Sequence, residues 1–178
     1  MKQPLLHIIL TVLLTASLSS ALVSKESEKV MMDADLFELD GKINSISASG
    51  NVVVSDMDIV ITGKKATYTQ NNSVITLRGN VILSKDKLHL TCEEARAFEI
   101  EERVEAIGKV QFNYGDIQGK SNKAVYFEKE KLIELSGSPV VTRGSDTLRG
   151  ELIAVYLDGG KIVTSGKTKV IFSVENLE

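Results

Sequence analysis

The sequence predicts an all-β chain built from a repeat, and three observations carry that expectation. Glycines stand at positions 50, 79, 108, 137 and 166, at one constant interval, and each opens a similar phrase. The phrases are Gly50-Asn51-Val52-Val53-Val54, Gly79-Asn80-Val81-Ile82-Leu83, Gly108-Lys109-Val110-Gln111-Phe112, Gly137-Ser138-Pro139-Val140-Val141 and Gly166-Lys167-Thr168-Lys169-Val170. Between the glycines, apolar residues recur in pairs spaced by two, which places both members on one face of a pleated strand. Short polar segments separate the pairs. A period of this length marks a stack in which each unit buries its apolar face against its neighbours, an architecture of length and surface rather than a compact enzyme.

The elements follow in chain order. Residues 1–21 read as a secretory signal: Lys2, an apolar run from Leu5 to Ala16, then the small residues Ser19-Ser20-Ala21 at a cleavage position. The rival reading is an uncleaved anchor over 5–23, long enough to span a bilayer but polar in its second half. Residues 22–29 form a polar, flexible leader, and the ordered body is expected over 30–174, as one domain, with 175–178 as a tail. A half-unit comes first, with Phe37 and Leu39, the turn Asp40-Gly41-Lys42, then Ile46 and Ala48.

Each full unit carries four apolar pairs. The first pairs are Val52 and Val54, Val81 and Leu83, Val110 and Phe112; the second are Ile59 and Ile61, Leu88 and Leu90, with Ile117 matching in half. The third are Ala66 and Tyr68, Ala95 and Ala97, Ala124 and Tyr126, and the fourth are Ile75 and Leu77, Val104 and Ala106, Ile133 and Leu135. Turn chemistry rich in Asn, Asp, Gly and Ser lies between them, as in Gln70-Asn71-Asn72-Ser73 and Asn113-Tyr114-Gly115-Asp116. Four units of about four short strands make about sixteen. Small residues recur at two points per unit, the glycine itself and the column Gly63, Cys92, Ser121, Gly150, which suggests corners where backbones approach closely. Pro139 cannot donate to a ladder, so its strand is expected at an edge or a bulge. Periodicity alone leaves parallel β-helix and antiparallel stack both open, with the short turns leaning to the second.

Composition narrows the function classes. Without the signal, which carries Lys2, 20 basic residues face 24 acidic ones, which argues against nucleic acid as a partner. A single cysteine builds no disulfide framework, and no cofactor is expected. Cys92 falls in the small-residue column and reads as packing rather than a reactive thiol. His89 lies between Leu88 and Leu90 on the outward face and supports neither a metal site nor a triad. Asp56 with Asp58, and Glu99 with Glu101 and Glu102, read as solvated turns rather than acid/base pairs. Gly166-Lys167-Thr168 resembles a phosphate loop, but its spacing is too long and no helix follows.

The phrases Gly50-Asn51-Val52-Val53-Val54 and Ile75-Thr76-Leu77-Arg78-Gly79-Asn80-Val81, the steps Ala66-Thr67-Tyr68 and Ala124-Val125-Tyr126, and the signal-like start resemble the OstA-like family. The similarity runs from about Met32 to Phe172, and its register over four units makes it more specific than any one motif. The resemblance implies an elongated, open antiparallel β-jellyroll with a V-shaped cross-section. It implies a non-enzymatic periplasmic protein that carries lipopolysaccharide from an inner-membrane LptC-like protein to an outer-membrane LptD-like protein.

On that reading the inward aliphatics line an apolar trough for acyl chains: Val52, Val54, Ile59, Ile61, Ala66, Tyr68, Ile75, Leu77, Val81, Leu83, Leu88, Leu90, Ala95, Val104, Ala106, Val110, Phe112, Ile117, Ala124, Tyr126, Ile133 and Leu135. Any β-sandwich also turns such residues inward, so the pattern by itself favours an ordinary core, and it is the resemblance that favours the trough. Unclosed ends at Asp33, Asp35, Phe37 and Leu39, and at Lys169, Val170, Ile171 and Phe172, could pair head to tail with another copy, or carry charges that protect them from doing so. Three alternatives remain: a membrane-anchored LptC-like member of the same pathway, a structural β-repeat protein that binds no lipid, and a glycan-processing β-helix enzyme, whose clustered carboxylates are not found.

Overall fold

The computed structural model describes residues 30–172, Ile43 and Met57 excepted. The predicted signal, leader and tail lie outside the described residues. Fourteen strands form one antiparallel sheet. They are β1 (Met31–Asp33), β2 (Leu36–Asp40), β3 (Ser45–Asp56), β4 (Ile59–Thr69), β5 (Val74–Lys85), β6 (Leu88–Phe98), β7 (Arg103–Tyr114), β8 (Ile117–Phe127), β9 (Leu132–Ser136), β10 (Val140–Arg143), β11 (Asp146–Arg149), β12 (Leu152–Tyr156), β13 (Ile162–Ser165) and β14 (Lys169–Ile171).

The expected sixteen short strands are corrected here, because β3 to β8 are each 11 or 12 residues long. Two predicted strands merge into one at each of Gly50, Gly79 and Gly108. There the glycine and the residue after it both take positive φ (77° and 44° at Gly50-Asn51). The ladder slips by one residue between Ser49 and Val52, between Arg78 and Val81, and between Ile107 and Val110, then resumes. This is a β-bulge, which bends a strand without ending it. Later in the chain the same position is a true break. Gly137-Ser138-Pro139 separates β9 from β10, since proline has no N–H to resume the ladder.

The line of bulges and breaks divides the sheet into two halves. One half runs β1, the second parts of β3, β5 and β7 alternating with the first parts of β4, β6 and β8, then β10, β11 and β14. The other runs β2, the remaining parts of β3 to β8, then β9, β12 and β13. Hairpins at the outer end of the first half are tight: Lys85 pairs with Leu88 across Asp86-Lys87, and Tyr114 pairs with Ile117 across Gly115-Asp116. Asp86 and Gly115 have positive φ, the backbone such two-residue turns require. The other half has longer reversals, as from Phe98 to Arg103.

The apolar faces of the halves look towards each other. Leu77, Val81, Ala124, Ile133, Leu135, Val141, Ile153 and Val155 are fully buried. Small residues sit beside the bulges: Val52 lies opposite Gly63, Val81 opposite Cys92, and Val110 opposite Ser121. The Cys92 thiol donates to the Glu94 carbonyl at 3.1 Å and the Ser121 hydroxyl to the Lys123 carbonyl at 2.9 Å, so both side chains occupy a carbonyl two positions on. Burial pushes the Cys92 thiol up to about 11, which suits packing rather than nucleophilic chemistry.

Candidate lipid-binding interior and free edges

All the residues expected to face inward are buried except Ile59 and Tyr68, which are partly buried against the same core. The period-two reading of faces therefore holds, since one wrong register would have turned a whole strand outward. Ala48, Cys92, Val141, Ile153, Val155 and Leu157 join them in the core. The fourth unit departs from the consensus, so its contribution was harder to see, and Leu157 sits in a reversal that the alternation does not reach.

Burial also separates these residues into two groups. Most fill the interior by packing on one another: Leu83, Leu88, Leu90, Val110, Phe112 and Ile117 are all at most 2% exposed. A smaller group borders open space near the N-terminal edge. One cavity of about 290 Å³ lies between the halves, with Val54, Ile59 and Ile61 on one wall and Ile75, Ala97 and Val104 on the other. A second, of about 470 Å³, is lined by Met32, Phe37, Leu39, Ile46 and Tyr68. Val30, Ile75 and Glu99 border both.

Carboxylates rim the first cavity: Asp56, Glu99, Glu102 and Glu128. One oxygen of Asp56 is buried with no hydrogen-bond partner among the described residues. Arg103 stacks 3.7 Å from the centre of the Phe98 ring and pairs with Glu101 and Glu105. Further along, charged side chains tie the mouths of the halves together. Lys85 Nζ donates to Asp58 at 2.7 Å in its own half and to Glu128 at 2.6 Å in the facing one. Partial burial opposes its charge, yet the hydrogen bonds to the two carboxylates win and raise its pKa. Arg143 similarly reaches Asp116 at 2.9 Å in its own half and the Gly160 carbonyl at 3.0 Å in the other.

The edges are open, as expected. All of β2 and all of β14 are exposed, and Leu39, Val170 and Phe172 are 77%, 49% and 65% accessible. The N-terminal edge is two strands rather than one, β1 in one half and β2 in the other, with Asp35 between them. The Asp35 N–H donates to the Gly50 carbonyl at 3.0 Å, and its carboxylate accepts from the Asn51 side chain at 3.0 Å. His89 is exposed and bonded to Ser84 across the strand pair at 3.2 Å. Among the described residues no His/Cys/Asp/Glu cluster is able to hold a metal ion.

The geometry defines a class: an open antiparallel sheet with a shared apolar interior, apolar cavities towards its N-terminal side and unpaired strands at both edges. The particular family is given by comparison of sequences. The profile of the family described as LptA/(LptD N-terminal domain) LPS transport protein matches residues 60–161, and the chain belongs to that family of transport proteins, which are not enzymes. No curated protein sequence matches the chain. Among solved structures, the chain is similar to the crystal structure of LptH, the LptA homologous periplasmic component of the conserved lipopolysaccharide transport device from Pseudomonas aeruginosa. That match has 16% identity and a TM-score of 0.39, over 83% of this chain and 96% of that one.

Proposed function

We propose that the chain is an LptA-like periplasmic carrier, delivered by its N-terminal signal, that passes lipopolysaccharide from an inner-membrane LptC-like protein to an outer-membrane LptD-like protein. Its halves form the arms of an open, V-shaped jellyroll built on the glycine-marked repeat, and copies join head to tail through their edge strands. The observation that carries the reading is the pair of apolar cavities opening at the N-terminal edge. Together they reach the size range of small-ligand sites. Acyl chains entering them gain about 0.8 kcal/mol for each methylene removed from water. The rim is mostly acidic and its one cation among the described residues, Arg103, is paired with Glu101 and Glu105, so a phosphorylated head group stays in water and affinity comes from the chains.

The acyl site is Ile59, Ile61, Tyr68, Ile75, Ala97 and Val104, and the remaining inward residues are the packed floor that holds the arms in place. Photoreactive side chains placed at Ile59, Tyr68 or Ala97 should label with co-purifying lipopolysaccharide, while the same group at Val60 or His89 should not. Equal labelling of both faces, or no co-purification, overturns the carrier reading. Labelling at Leu90 and Phe112 as strong as at Ala97 overturns the placement of the site.

A further inference from the structure

We propose that the C-terminal edge takes the N-terminal edge of a second copy in one fixed antiparallel register, with lysines of one set against aspartates of the other. The inference rests on the head-to-tail reading above and specifies its join.

The first support is parity. Each half of the sheet holds ten strand positions from edge to edge, and neighbours are antiparallel at every step. Ten is even, so a second copy stacked in the same orientation presents β1 antiparallel to β14 and β2 antiparallel to β13. An odd number would have forced a parallel junction, with a different hydrogen-bond pattern from the rest of the sheet.

The second support is register. In one half Val54 lies opposite Ile61, Leu83 opposite Leu90, Phe112 opposite Gly119 and Val141 opposite Leu148. Each pair is the one before it moved along by one repeat. One further step arrives at Val170, and its partner must precede a glycine of the ladder by the same interval that separates Leu148 from Gly166. Met32 precedes Gly50 by that interval. In the other half Ile46 lies opposite Tyr68, Ile75 opposite Ala97, Val104 opposite Tyr126 and Ile133 opposite Val155. The same step sets Ile162 against Leu39. Side chains that face inward on one edge thus meet inward side chains of the next copy, and the apolar wall continues across the join.

The third support is charge. The same register places Lys169 opposite Asp33 and Lys161 opposite Asp40. Residues 31–40 hold four acidic groups and no basic one, and residues 161–169 hold three lysines and no acidic group. Opposite charges facing across a strand pair are favourable and like charges are not. An acidic edge is repelled by its own kind, and so is a basic one, which leaves the head-to-tail contact as the permitted pairing. Among the described residues, none of Asp33, Asp40, Lys161 and Lys169 is committed to an ion pair within the chain.

The test is sedimentation velocity on the exported chain, with circular dichroism confirming that each variant is folded. Wild type should associate, and less so as salt shortens the Debye length from about 30 Å to about 3 Å. Lys161→Glu/Lys169→Glu and Asp33→Lys/Asp40→Lys should each associate at least about tenfold more weakly, and an equimolar mixture of the two should recover wild-type behaviour. Variants that associate as well as wild type, or a mixture no better than its components, overturn the charge key. A wild type that stays monomeric at every salt overturns the assembly reading itself, a separate and recognisable result. The register is read by disulfides in a Cys92→Ser background. Asp33→Cys/Lys169→Cys should cross-link between chains, and Met31→Cys/Lys169→Cys, whose partners sit diagonally and too far apart for a bridge, should not. The reverse pattern overturns the register.

Discussion

Phe112 and Gly119 face each other across β7 and β8, and the phenyl ring lies in the space a side chain at position 119 would occupy. A Cβ built on Gly119 would collide with Cε1 and Cδ1 of that ring, and Phe112 is 1% exposed, so the ring has nowhere easy to go. The backbone of Gly119 is not in the left-handed region. Gly119→Ala would therefore ordinarily stabilise by about 0.4–1 kcal/mol through the unfolded chain. Overpacking of a filled core costs about 1–3 kcal/mol, which outweighs that gain and leaves a net loss of about 1–2 kcal/mol. Phe112→Leu alone leaves a void and costs on the order of 1–2 kcal/mol, less than the full truncation to alanine. In the double variant the smaller side chain makes room for the new methyl group. The two losses should then fail to add by at least about 1 kcal/mol, a coupling expected only of residues in contact. Urea melts followed by far-ultraviolet circular dichroism measure all four corners of the cycle, since the chain has no tryptophan to report by fluorescence. Losses that add to within about 0.5 kcal/mol, the scatter expected of independent sites, would refute the packing argument.

Three further expectations come from the bulges, the mouth and the thiol. Gly79→Ala, at φ 86° with Lys64 Cβ 3.0 Å from the new methyl, should destabilise by about 1–2 kcal/mol through the left-handed backbone, whereas Gly41→Ala, which meets nothing within 4 Å, should stay within about 0.5 kcal/mol of wild type; thermal melts separate the two. Lys85→Met should loosen the mouth and speed amide exchange in the Asp86-Lys87 turn and around Glu128. Its hydrogen bond to Lys85 lowers the Asp58 pKa from its ordinary 3.8, and the Lys85 pKa is raised above its ordinary 10.5. The stability from this pair is therefore complete between those two ordinary values, and falls away as pH drops through the lowered one or climbs through the raised one. Wild type and Lys85→Met should accordingly converge in pH-dependent melts as pH falls below the ordinary carboxylate range, and a difference that stays constant there would refute the assignment. Cys92→Ser should cost under about 1 kcal/mol because Ser121 already performs the same carbonyl contact, and thiol labelling of the native chain near pH 8 should be slow, with unfolding releasing it.

The faces of the strands were legible because alternation is a local property of a pleated backbone: Ile75 and Leu77 must share a face, and so must Val81 and Leu83 beyond the bulge. The strand count was not legible in the same way. Gly50-Asn51 and Gly137-Ser138-Pro139 look alike as turn signals, yet the first continues its strand and the second ends it. The difference lies in whether the next backbone N–H can rejoin the ladder, and only the proline shows that in the sequence. The site was half legible. Inward direction follows from spacing, but whether an inward side chain meets another or meets a void depends on what the facing half supplies at that level, and no spacing within one strand encodes it. The ion contacts across the mouth were hidden for the same reason: Lys85 and Glu128 are 43 residues apart and belong to different polar segments that the sequence treats as interchangeable turns.

What leaves space at one end is a gradient of side-chain volume along the sheet. On the half that runs from β2 to β13, β3, β4, β6, β7 and β8 each supply at least one alanine among their two inward positions: Ala48, Ala66, Ala95 with Ala97, Ala106 and Ala124. Then β9 supplies Ile133 and Leu135, and β12 supplies Ile153 and Val155, all four fully buried. Packed interiors tolerate few voids, so the C-terminal end closes on its own side chains. At the N-terminal end Ala97 lines a cavity with Ile59 and Ile61, and the outermost strand offers only Phe37 and Leu39, both exposed. A stack of identical copies would therefore alternate filled and unfilled stretches, and the unfilled stretch lies against each join. Phe37 and Leu39 are wall residues of the second cavity and members of the free edge at once. On the proposed reading, covering that edge with β13 of another copy would complete the cavity wall, so occupancy by acyl chains and association of copies would draw on the same apolar surface and should strengthen one another.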